Sequence, residues 1–176
     1  MAYQPSETLQ PSQAQKRNRS QFPIILCLLA LTLAGCGARA TSQPGQSTQT
    51  LQIDGKTFHL ELALTPEART RGLGGREHIP KDGGMLFVFP EAAKRAFVMR
   101  DCLVPIDLIF LDANGRVVRM HQMTVEPNPA VPQTSYSSTY PAQYAIELKG
   151  GMLDKLDIQR GDRIAFPRQA LKRRAE

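Results

Sequence analysis

The chain is poor in the residues from which most catalytic and metal sites are made. It has three cysteines and three histidines among 176 residues. Cys27 and Cys36 lie near the start and Cys102 stands alone far downstream, so the body has no disulfide framework and must rely on its core. His59, His78 and His121 lack ligand spacing of the HxxxH kind, so neither a metal nor a cofactor is expected. Residues 71–76, RGLGGR, are not a phosphate loop, because no glycine-rich turn opens a helix after a strand. The sequence contains no internal repeat and no apolar run near the roughly 20 residues that a spanning helix needs.

Charge of one sign is scarce too. The formal net charge is +6, from 22 basic and 16 acidic residues. Lys16, Arg17, Arg19 and Glu7 fall in a leader, which leaves 19 basic and 15 acidic residues, or +4. Much of that excess is Lys172-Arg173-Arg174. The body shows no basic stripe interleaved with aromatics, which argues against nucleic acid as a partner.

Residues 1–35 have the plan of a secretory signal. A polar segment ends in Lys16, Arg17 and Arg19, an apolar run covers 22–33, and small residues follow at Ala34 and Gly35. Leu33-Ala34-Gly35-Cys36 resembles the lipobox of bacterial lipoproteins, which implies that Cys36 is acylated and becomes the new amino terminus. Such an anchor tethers a body to the membrane without embedding it. Gly37 in place of Asp resembles the pattern of outer-membrane lipoproteins. The expectation is an exported protein on the periplasmic face of a bacterial membrane, the outer one preferred. Cys27 leaves with the signal and Cys36 is consumed by lipid, so Cys102 has no partner. Residues 36–49, rich in Ser, Thr, Gln, Gly and Pro, form a linker spanning roughly 20 Å.

A single domain is expected over residues 50–167. Asp54-Gly55 is a two-residue hairpin turn between alternating strands. Thr65-Pro66-Glu67 caps and starts a short helix that glycines end near Leu73. The densest apolar block, residues 83–112, holds two runs, 85–89 and 106–111, too apolar to be half-solvated. Pro90 is expected to stop the first, with a turn or short helical bridge to residue 95. Further strands are expected at 96–99, 116–123, 144–148 and 164–166, with a long irregular loop at 126–140. The spacing predicts a mainly β fold, an antiparallel β-sandwich or barrel-like domain with one or two short helices. Residues 168–176 read as a solvated basic tail.

GLGGREHIP, GGMLFVFP, FVMRDCLVPIDLIFLD, AQYAIELKGG and GDRI, in that order, resemble the domain of unknown function 192 family over most of residues 51–166. The resemblance implies a mainly β domain and no established activity. Members commonly show Asn-Thr after the Met that is Met99-like in position; this chain has Asp101-Cys102 there.

Candidate site residues cluster around the apolar block. Asp107 shares a strand face with Ile109 and Leu111, so an ionised carboxylate there needs a cation or several donors, and Arg71, Arg76 and Arg100 are the available partners. Glu147 repeats the situation in another strand. Cys102 beside Asp101 and Arg100 has some features of a lowered thiol pKa, but no histidine is close in sequence, and the favoured reading is an inert half-buried thiol. Met99 is core filler or the wall of a pocket. The set Asp107, Glu147, Arg71, Arg76, Met99, Asp101 and Cys102 is a ligand-binding or structural polar site and lacks a complete catalytic arrangement. The favoured reading is a lipid-anchored envelope protein whose domain is a non-catalytic binding or accessory module for a small molecule or an envelope protein. The alternatives are a hydrolase-like envelope enzyme using Asp107, Glu147 or Cys102, and a structural interaction protein.

Overall fold

Asp54 and Gly55, both at positive φ (49° and 70°), turn the chain between β1 (Thr48–Ile53) and β2 (Lys56–Ala63). The computed structural model describes residues 47–176. The signal segment, Cys36 and most of the linker lie outside the described residues, and β1 begins at Thr48, ahead of the expected boundary at residue 50. Thr65 caps α1 (Pro66–Arg71), its Oγ1 accepting from the Ala68 N–H at 3.3 Å. Seven further elements follow: β3 (Gly83–Ala93), β4 (Ala96–Phe97), β5 (Ile106–Leu111), β6 (Val117–Met123), β7 (Tyr136–Ser137), β8 (Ala142–Lys149) and α2 (Arg168–Lys172). A 3-10 turn spans Leu153–Lys155.

The strands form one six-stranded sheet in the order β1-β2-β3-β8-β5-β6 and a small β4-β7 ribbon. The fold is mainly β, as expected, and the large sheet is open, with β1 and β6 at its edges. One pairing departs from the antiparallel expectation: β2 and β3 run parallel. The connection between them, residues 64–82, contains α1 and is long enough for the crossover that parallel neighbours require.

Alternate residues of the central strands feed two separate cores. Leu62, Leu86, Ile146, Ile109 and Leu111 lie on one face, with Met152, Leu156, Ile164 and Leu171 packed over them. Phe87, Ala145, Leu108 and Phe110 lie on the other, under Leu73, Ile79, Met99 and Cys102. Both faces are covered, which is why β5 is buried along its whole length. The β4-β7 ribbon contributes to the second cover, giving a sandwich-like arrangement: the Phe97 ring stands edge-on to Phe87 and Phe110, at 4.9 and 5.3 Å between centroids.

Three local expectations are corrected. Pro90 does not end β3, which runs on to Ala93 through a register shift between Val88 and Ala93. The β8 side chain Gln143 donates from Nε2 to the Phe89 and Pro90 carbonyls at 3.2 and 3.0 Å, satisfying acceptors where the ladder is broken. Residues 164–166 are not a strand; an isolated bridge joins Arg116 and Arg163 instead. The supposed solvated tail contains α2, and its Leu171 is 2% exposed because it closes the first core. The Glu176 N–H donates to the Leu64 carbonyl, and Arg174 Nη2 donates to Ser47 Oγ.

Candidate functional site

Strand register separates the two carboxylates. In the β5–β8 pair Asp107 stands opposite Leu148 and Glu147 opposite Leu108, so the acids project from opposite faces of the sheet. Among the described residues Asp107 has no arginine partner. Its Oδ2 accepts the Leu153 N–H at 2.6 Å, and the Gly151 and Met152 N–H groups also favour its ionised form. Burial outweighs these donors and raises the carboxyl above its ordinary range, with Asp154 adding in the same sense. Asp107 therefore ties the 3-10 turn to the sheet, and the arginine pairing expected for it is replaced by backbone donors.

Glu147 lies on the second face, in a row that runs from Glu61 through Met85 and Glu147 to Leu108. It is 5% exposed. Two glycines bring backbone against it. A Cβ on Gly84 would collide with the Glu147 carbonyl. Gly72, at φ +52°, ends α1, and a Cβ there would stand 3.4 Å from both Glu147 Oε2 and Phe87 Cζ. The loop after α1 can thus close over the carboxyl group. Burial pushes the Glu147 carboxyl up to about 8, while the Leu73 N–H and the Arg76 charge draw it down.

Arg76 is committed elsewhere in the same row. Its Nη1 and Nη2 hold the two Glu61 oxygens at 2.5 and 2.6 Å, a bidentate pair that raises the guanidinium pKa. Met99 is wholly buried and belongs to the core. Cys102 is buried, its Sγ donating to the Arg100 carbonyl at 3.4 Å. Burial, with the nearby Glu147 and Asp101 charges, pushes the thiol up to about 12, opposite to the lowered value its neighbours in sequence suggested. Asp101 is exposed at φ +54°, a conformation that Asp and Asn tolerate better than most residues; its carbonyl accepts the Gly75 N–H at 2.7 Å.

These residues frame a cavity of about 650 Å³ between α1, the loop at 72–74 and the segment from Phe89 to Val98. Glu147 and Cys102 line it together with Arg71 and Arg100. A second concavity, containing Asp101, shares Arg71, Gly74 and Arg100 with the first. The structure thus brings Glu147, Cys102 and Arg71 to one place and leaves Asp107, Met99 and Arg76 outside the wall.

The rest of the wall was not expected from sequence. Arg69, Lys94 and Arg95 line the same cavity. Arg69 and Arg95 approach the Phe89 ring, with guanidinium carbons 5.3 and 4.1 Å from its centroid. Burial lowers the pKa of both arginines, and the Arg95 charge adds to the effect on Arg69. Arg69 is also bonded to the Leu64, Val88 and Glu176 carbonyls. Among the described residues, the buried side-chain polar atoms without a hydrogen-bond partner are Arg95 Nε and Glu147 Oε2, and both belong to residues of this cavity. Among the described residues no three His, Cys, Asp or Glu side chains converge as metal ligands.

Two solved structures resemble the chain. One, from Sinorhizobium meliloti 1021 and provisionally named a transcription regulator, is 26% identical, with a TM-score of 0.58 over 70% of this chain and 97% of its own. The other, a protein of unknown function from Novosphingobium aromaticivorans, is 24% identical, with a TM-score of 0.60 over 74% and 94%, and shows the fold alone. No curated protein matches the sequence. The family model described as an uncharacterized ACR matches residues 49–166, and the chain belongs to that family, DUF192.

Proposed function

We propose that this protein is a lipid-anchored envelope module that binds a small polar molecule in the cavity floored by Glu147. The observation that carries the binding reading is the pairing of a roomy cavity with a buried, unpartnered carboxyl oxygen. Buried polar groups are nearly always partnered, so such an atom in a cavity wall is suited to a ligand. The anchor rests on Leu33-Ala34-Gly35-Cys36 after the apolar run.

The geometry favours binding over hydrolysis. Asp107 and Glu147 project from opposite faces of the sheet and cannot share a substrate, and a thiol held near 12 supplies almost no thiolate at neutral pH. The arginines converge on a concavity, where a nucleic-acid surface needs a basic stripe with aromatics.

Ligand-induced melting shifts of the full chain, screened over small carboxylates, alcohols and amines, test the binding reading. At least one class should raise Tm in the wild type and not in Ala96→Trp, which fills the cavity from an exposed wall position. No shift from any class removes the reading. For the anchor, cells fed a labelled fatty acid should label the protein at Cys36, and label that survives Cys36→Ala refutes attachment there.

A further inference from the structure

We infer that the molecule bound in this cavity is a small organic anion, its charged group held by Arg95 and the neighbouring guanidinium groups and an uncharged polar group held by Glu147. This inference rests on the binding reading above and names its ligand class. Three observations carry it.

The first is the pair of orphaned atoms. Arg95 Nε is a charged donor and Glu147 Oε2 a carboxyl oxygen, and both residues line one cavity. A ligand that satisfies both must present an acceptor to the first and a hydrogen-bonding group to the second. The second is the balance of charge. Arg69, Arg71, Lys94, Arg95 and Arg100 line the cavity against Glu91 and Glu147, so its field favours an anion. Much of Arg69 is already bonded to carbonyl groups, and the Arg95 Nη2 donates to the Glu91 carbonyl at 2.7 Å; the Arg95 Nε has no such partner. The third is the body of the wall. Phe89, Phe97 and Val98 line the same cavity and provide an apolar surface for the ligand's carbon skeleton.

Glu147 suits an uncharged group for a further reason. Buried and facing Arg76, Cys102 and the Leu73 N–H, its carboxyl retains its proton up to about 8 and can donate to a hydroxyl or carbonyl oxygen. A ligand ammonium group at that position would lie in the field of five cationic side chains.

The test uses the full chain and three probe series of graded length: ω-hydroxy carboxylates, α,ω-diols and ω-amino alcohols. Calorimetry should show the best ω-hydroxy carboxylate binding at least roughly tenfold more tightly than the diol of the same length. Arg95→Lys keeps the charge and removes Nε, and should weaken that carboxylate by roughly tenfold while leaving the diol unchanged. Glu147→Gln, which keeps a donor, should bind the carboxylate within about threefold of the wild type. Tightest binding by an amino alcohol, abolished in Glu147→Gln, would overturn the anion assignment and leave the binding reading standing. Absence of binding by all three series at every length removes both.

Discussion

A carboxyl group buried against Gly72 and the Leu73 N–H keeps its proton at pH values where the unfolded chain has already released it. Glu147 titrates near 8 in the fold against an ordinary 4.5, so the folded state binds the extra proton between those values. Its contribution to stability is full below about 4.5 and is lost as pH rises through about 8, each unit being worth about 1.4 kcal/mol. Urea midpoints should fall between about pH 5 and about pH 8, and Glu147→Gln should remove most of that slope. An unchanged slope in the variant would contradict the assignment. Burial also holds up the Asp107 carboxyl, an effect of the same sign. Asp107→Ala leaves the N–H groups at the start of the 3-10 turn without their acceptor and should cost about 2–3 kcal/mol in urea titration. A loss under about half a kcal/mol would show that water replaces the carboxylate there. Strand parity showed from sequence that both acids point inward. That they point to different sides was hidden, because the register of β5 against β8 depends on residues some forty positions apart.

Elements closed by local chemistry were legible, and those closed by distant partners were not. Asp54-Gly55, the Thr65 cap with Pro66, and the apolar runs of β3 and β5 each carry their own signal and fold where those signals place them. Pro90 read as a stop because its missing N–H is a local fact, whereas the Gln143 amide that bridges the break comes from β8. The cavity wall was obscured by the same step: Lys94 and Arg95 reach it because β3 continues past Pro90. The C-terminal segment misled in a different way. Its basic residues dominate its composition, yet Leu171 buries it in the first core and hydrogen bonds to Leu64, Arg69 and Ser47 hold its end. Leu171→Ala should therefore destabilise the domain by about 2–5 kcal/mol, measured as a lowered urea midpoint. An effect within about half a kcal/mol would mean that α2 is dispensable to the first core.

Across the whole molecule, the mainly β architecture and the family were legible because apolar periodicity and ordered motifs run through residues 49–166. The parallel β2–β3 pair was not, since a crossover with one short helix leaves little trace in spacing. The order of the sheet also sets a schedule. β1, β2 and β3 form one half and β5 and β6 the other, and only β8 joins them. A ribosome delivers the amino end first, so β3 and β5 emerge with one flank each unpaired and wait for residues 142–149. Until that strand arrives neither core can close, and a chain that stalls short of it presents two apolar strand edges to whatever other chain is nearby.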